Sequence, residues 1–360
     1  MILSVKMQCR PKYRVEEHFR EYEHLDKVLA AEKEYPLQQF YLVPWRWSYF
    51  AQHRRESEER PSKTMQLYHW YRFLVIDICM HLLILFVVHV LRFHAAVRAL
   101  FRWIAPACVI RNWRVVGTSS SQLVMEHELF RHVEIELFVQ RHRLPYALQF
   151  LRNTLEASAS QKGNLNDKFL HQLAALDAIE ELDQLRGKYC HHYPICVRKI
   201  LPDDTLVSMA SNAGIGIEAA SDAENRTGLS GNEGWYSITL THYDQGKRRK
   251  RFKQLTAFLA ISMMRLFGAR PHWGKLCPVP TDALRSLYPA FKNFQEVCDR
   301  VDRAGVFRNQ WTQGLLRNEP PNRMVGKNSI MLGFFLLFAV LETSHVSAQT
   351  SLVGIWNPTG

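Results

Sequence analysis

Residues Phe73 to Leu91 form an almost unbroken apolar run, long enough to cross a bilayer as a helix. No fold of this chain can leave such a segment simply in water. Asp77, His81 and His89 interrupt it, and Asp77 and His81 share one helix face at i,i+4. An aspartate near the centre of a spanning helix is costly. A helix in the core, or one lying in the membrane plane with a basic tail on anionic headgroups, costs less. Arg92, Arg98, Arg102, Arg111 and Arg114 follow and supply such a tail. Core, in-plane and spanning placements all give a hydrophobic helical segment over about 73–101. The expected partner is a membrane surface, met from the cytoplasmic side.

The rest of the chain mixes strand and helix patterns. His132 to Val139 alternates apolar and polar side chains, the clearest strand signal present. Ile195 to Ile200 is a further strand, with Trp235 to Leu240 as its neighbour. Phe40–Val43 and Trp47–Phe50 are aromatic-rich strand candidates around Pro44, and Ile2 to Cys9 also alternates. Helical spacing is read over 15–34, 146–155, 165–185, 252–267 and 281–299. Polar loops are expected over 52–63 and 208–234. Strands and helices mixed without regular βαβ alternation predict an α+β fold, a mixed or antiparallel sheet flanked by helices, with the hydrophobic helical segment added.

With 47% hydrophobic residues the chain can bury a real core, which excludes wholesale disorder. The 46 Lys+Arg against 34 Asp+Glu leave a charge of +12, suited to an anionic partner. The basic cluster Lys247–Arg251 has no nucleic-acid-binding fold or aromatic ladder around it, so a nucleic-acid partner is not expected. The 7 cysteines show no CxxC spacing and fit a reducing compartment. Cys190, His191, His192 and Cys196 carry metal-capable atoms within one short stretch, whereas structural zinc takes separated ligand pairs, so no metal site is expected.

Gly268-Ala-Arg-Pro-His-Trp-Gly-Lys275 is the stretch richest in chemistry. Gly268 ends a helix, and a constrained turn then presents His272, Trp273 and Lys275 together. A lysine can polarise a substrate oxygen and a histidine can position or shuttle a proton. From the residues alone, aromatic-and-basic turns of this kind are more often packing than catalysis.

Arg270–Lys275, followed by Asp282-Ala-Leu-Arg285, Tyr288-Pro289 and Asp302–Asn309, resembles the C-terminal domain of the aldonolactone oxidases. These are the D-arabinono-1,4-lactone and L-gulono-1,4-lactone oxidases, FAD-linked flavoproteins related to alditol oxidase. His132–Glu136 resembles the family's central strand. Ile195–Arg198 with Asp203, Asp204 and Ser208 resembles its Glu-x-Arg strand and the residues after it. The resemblance extends over about residues 1–317. It implies oxidation of a sugar lactone or related hydroxy substrate, by hydride transfer to FAD with O₂ as acceptor. Lys275, His272 and Arg198 would be catalytic, and Cys196 and Trp273 would contact substrate.

Two departures shape the expectation. Cys196 stands where the family has a glutamate, and a thiol cannot accept the paired hydrogen bonds of a polyol as a carboxylate does. No Gly-rich phosphate loop precedes a helix anywhere in the chain. Residues 1–14 are therefore read as the last strand of a flavin-binding domain otherwise absent, and 15–317 as the substrate domain. The alternative expectation is a membrane-associated substrate domain without catalysis of its own. Residues 324–360 combine Lys327, the apolar run Ile330–Leu341 and Val346-Ser-Ala348, a signal-peptide-like or tail segment outside the fold.

Overall fold

Alternating strands with one apolar side dictate a sheet that must be covered on that side. Ile135, Leu137 and Val139 of β5 (His132–Gln140) are buried in one core cluster. Tyr236, Ile238 and Leu240 of β7 (Trp235–Tyr243) join them, with Ile195 and Val197 of β6 (Ile195–Ile200) and Phe40 and Leu42 of β2 (Gln39–Leu42). The helices Leu144–Ala159 and Arg248–Phe267 close this side through Leu148, Leu151, Leu255 and Leu259. Phe150 locks the two helices together, its ring 5.8 Å from that of Phe267 and 5.3 Å from that of Phe169.

The structure is a computed structural model that describes residues 12–91, 93–123, 131–163, 165–213, 234–243 and 248–316. With β1 (Arg14–Tyr22), β3 (Tyr49–Glu56), β4 (Val115–Thr118) and the short β8 (Arg270–Pro271), the sheet runs in the order β4-β1-β3-β2-β6-β7-β5-β8. Every pairing is antiparallel. The α+β expectation holds. The expected strand at 2–9 and the segment 324–360 lie outside the described residues. Arg14, placed at the end of a preceding domain, opens β1 of this sheet.

Several local expectations are corrected. Residues 15–22 are strand, not helix. Glu16 and Glu17 stand directly opposite Arg55 and Arg54 of β3, so their charges are matched across the sheet instead of along a helix face. The same pairing extends β3 to Glu56, into the stretch read as loop from 52. The helix expected over 165–185 breaks into Asp167–Ala174 and Ile179–Leu185 around Asp177, whose φ is +53°. That over 281–299 breaks into Thr281–Ser286 and Phe291–Val301, with Pro289 between them. β4 carried no signal strong enough to be read.

The apolar run forms one helix, Met65–Leu91, which turns back through a second helical segment at 94–108. Its Ile84, Val87 and Val88 pack with Val97, Leu100 and Phe101 against Val43, Phe50 and Tyr243 of the body. This hairpin therefore rests on the sheet face opposite the main core, at one end of it.

Candidate active site

That second face is polar. From β1 to β5 one cross-strand row reads Glu21, Phe50, Tyr41, Cys196, Thr239, Glu136. A neighbouring row reads Gln52, Gln39, Arg198, Ser237, Phe138, Arg270. The hairpin covers one flank of these rows through Phe50.

The turn after the Arg248–Phe267 helix is laid onto β5. Gly268 takes φ +63° at the helix end, with its N–H bonded to Met264 O, and the Ala269 N–H returns to Met263 O. β8 then pairs with Phe138 and Leu137. Beyond it the His272 N–H donates to Glu136 O (2.9 Å) and the Leu276 N–H to Glu134 O (3.1 Å). The Lys275 side chain is thereby delivered to the carboxylates of the same two residues, Nζ lying 2.7 Å from Glu134 Oε1 and 2.8 Å from Glu136 Oε2.

Burial alone would raise the Glu136 carboxyl, but the Lys275 charge and its hydrogen bond pull it below the ordinary range. Burial would lower Lys275, yet Glu136 and Glu134 raise it, so the ammonium stays charged. His272 is pushed down, chiefly by burial. Its Nδ1 accepts from the Gly274 N–H at 3.0 Å, which leaves the proton of the neutral ring on Nε2. A Cβ at Gly274 would lie 3.1 Å from His272 Cε1, so glycine allows this turn to close.

Cys196 and Arg198 sit on the same face, on β6. Arg198 Nε points at Cys196 Sγ, 3.4 Å away. Burial raises the Cys196 thiol, although Arg198 works the other way. β7 separates this pair from Glu136, a gap of about 10 Å at ordinary strand spacing. In that gap lies Thr239, 5% exposed, whose Oγ1 has no hydrogen-bond partner among the described residues.

The structure thus gathers Lys275, His272, Cys196 and Arg198 on or beside one polar face. The Trp273 indole packs edge-on against Tyr288 (5.5 Å) and Trp311 (5.7 Å). Arg270 is buried, its guanidinium 4.4 Å from the Trp235 ring and 4.7 Å from the Tyr288 ring. It donates to the carbonyls of Ser211 and Leu287, which makes it a peg for the turn. Glu134, Glu136 and Thr239 were not among the expected site residues. The spacing of the two glutamates on one strand face was visible, but their partner is a lysine from a distant turn. Among the described residues, no group of three or more His, Cys, Asp or Glu side chains could hold a metal ion.

Comparison with known proteins fits this geometry. The model of the D-arabinono-1,4-lactone oxidase family matches residues 5–315, and the chain belongs to that family. A long-chain alcohol oxidase from an uncultured marine euryarchaeote is 46% identical over 316 residues, 88% of this chain and 62% of that protein. An L-gulonolactone oxidase of Mus musculus is 25% identical over 139 residues, 39% of this chain and 27% of that protein. The chain thus spans less than two thirds of the length of these curated relatives. Among solved structures, a solvent-stable cholesterol oxidase aligns with a TM-score of 0.49 at 11% identity, over 85% of this chain and 60% of that one.

Proposed function

We propose that this chain forms the substrate-holding part of a flavin-linked oxidase acting on a CH–OH group. The observation that carries the reading is the Lys275–Glu136–Glu134 cluster on the same sheet face as Cys196 and Arg198. Family membership and relatives named as alcohol and gulonolactone oxidases support it.

FAD fits this chain on one side only. Thr239 Oγ1, without a partner among the described residues, and the charged groups around it suit a substrate held against a flavin ring. Among the described residues the glycines are scattered singly, and none forms the strand–Gly-rich loop–helix turn that a pyrophosphate requires. Bound flavin would supply the two-electron acceptor for the oxidation. The protein residues do the holding. Lys275 donates to the reacting oxygen, and Glu136, kept ionised, accepts from a hydroxyl. His272 offers Nε2–H as a donor, which suits positioning rather than proton abstraction. Arg198 anchors a second oxygen across β7.

Cys196 sets the substrate class. A protonated, buried thiol favours an alcohol with fewer hydroxyls than a sugar lactone, and the long-chain alcohol oxidase relative points the same way. O₂ as the final acceptor is part of this proposal. The second reading, a substrate domain without redox chemistry of its own, draws on the absence of a phosphate loop among the described residues.

Purified chain with excess FAD, alone and together with a flavin-binding domain from a relative, separates the two readings by its visible spectrum. Oxidation of D-arabinono- and L-gulono-1,4-lactone and of straight-chain alcohols is then measured in the flavin-loaded form. Wild type should prefer the alcohols. Cys196→Glu should raise lactone turnover about ten- to a hundred-fold, the contribution of hydrogen bonds to a charged group. If Cys196→Glu and Lys275→Ala both leave turnover unchanged, the turn is packing and the enzymatic reading falls.

A further inference from the structure

The helix Met65–Leu91 is held to the body along one side for its whole length. Near its start the buried Tyr68 donates to Glu17 Oε1 (2.5 Å), and Arg72 faces the same carboxylate at 3.9 Å. In its middle, His81 bonds the hydroxyls of Tyr193 (3.3 Å) and Tyr243 (3.1 Å). Near its end Ile84, Val87 and Val88 are buried. Its opposite side is an apolar stripe, Leu67, Trp70, Leu74, Leu82, Phe86 and Val90, each roughly half exposed, in steps of three, four or eight residues. Monomeric proteins rarely expose so long an apolar strip unless something covers it.

The second arm of the hairpin supplies the charge. Arg98, Arg102 and Trp103 are exposed and, with Trp45 and Trp47, line a cleft of about 380 Å³. Among the described residues neither arginine has a carboxylate partner. Trp45 and Trp47 both hold left-handed backbone (φ +68° and +59°), strain that a bulky residue accepts only when its surroundings impose it.

We propose that the 65–108 hairpin docks in the plane of an anionic phospholipid bilayer. The stripe sinks to the acyl boundary, Trp103 sits at headgroup depth, and Arg98 and Arg102 meet lipid phosphates. A spanning orientation would pull Tyr68 and Arg72 off Glu17 and His81 off its tyrosines, so the helix lies on the membrane with its body contacts intact. This inference stands apart from the flavin reading, since it uses none of the site residues.

The test is flotation of the full chain with phosphatidylcholine vesicles, with and without phosphatidylserine. Binding should require the anionic lipid, fall with salt, and be released by alkaline carbonate. Arg98→Gln with Arg102→Gln should lower partition about thirty-fold, at the usual contribution of a basic residue near such a surface. Leu82→Glu with Phe86→Glu should abolish it. Retention through carbonate would show a spanning helix and overturn the proposal. So would absence of vesicle binding, equal binding by the variants, or a vesicle-indifferent dimer dissolved by Leu82→Glu with Phe86→Glu. Should those variants not fold, brominated lipids give a second measurement on wild type. Shallow bromines should quench part of the tryptophan fluorescence, and no quenching overturns the proposal.

Discussion

Glu17 and Glu136 lie on the same face of one sheet, five strands apart in the sheet order. Each is buried and each meets cations. Glu17 is wholly enclosed, paired with Arg54 at 2.6 Å, faced by Arg72 and hydrogen-bonded by Tyr68. Arg54 is itself tied to Gln122 O. Burial would raise the Glu17 carboxyl, but Arg54 and Arg72 hold it below the ordinary range. Around Glu136 the arrangement is open: the side chains of Lys275 and Glu134 are 23% and 26% exposed, and the neighbouring Thr239 hydroxyl has no partner among the described residues. A saturated cluster can only join elements, here β1, β3 and the long helix. An unsaturated one at the surface of the same sheet can exchange its partners for a ligand's.

The largest effect expected from this contrast is on stability at the closed cluster. Glu17→Leu leaves the buried Arg54 and the half-buried Arg72 without this counter-charge and should cost about 3–5 kcal/mol in urea unfolding. Lys275→Met should cost much less stability. On the proposed function it should instead lower kcat/KM of the flavin-loaded form by roughly 10²–10³, the scale of one lost charge-stabilising donor. If the two substitutions destabilise equally, the contrast between closed and open clusters is wrong.

Acid probes the body that both clusters share. Burial pulls His191 down to about 3 and His53 down to about 4, so both are neutral in the folded protein. The unfolded chain binds their protons below about pH 6.5, hence stability is full above that pH and lost as pH falls towards 4. The slope should approach about 1.4 kcal/mol per pH unit for each histidine, read from urea midpoints across that range. His191→Asn with His53→Gln should remove their share of that slope. The smallest effect belongs to the turn's backbone. Nothing lies within 4 Å of a Cβ built on Gly268, so Gly268→Ala should cost only the left-handed conformation, about 1 kcal/mol, measurable as a shift of a few degrees in Tm. On the proposed function it should also depress activity of the flavin-loaded form, because the turn carries Lys275.

The legible parts of the fold were those whose signals are local. β5, β6 and β7 alternate in apolar content, and Gly268 with Pro271 marks the turn. β1 was not legible because its strand character resides in partners: Glu16 and Glu17 alternate with nothing apolar until Arg55 and Arg54 are set opposite them. The site divided in the same way. Cys196 and Arg198, two apart on a strand, had to share a face, and Lys275 stood out in its turn. The partners of Lys275 come from residues more than a hundred positions earlier, and only the β5–β8 pairing brings them within reach. The ring contacts of Trp273 with Tyr288 and Trp311 were not legible, because stacking surfaces and packing surfaces have the same sequence signature.

The glutamates that hold the Lys275 ammonium also hold, through their own carbonyls, the backbone on either side of it, at His272 and Leu276. Those two attachments make the stretch between them a ruler. One residue more or fewer would detach a backbone bond and swing the ammonium away in the same event. Length variation among related chains is thus expected to be rejected between 272 and 276. A deletion scan across the turn, scored by whether folded protein accumulates and whether it still turns over substrate, would show how sharply that ruler is marked.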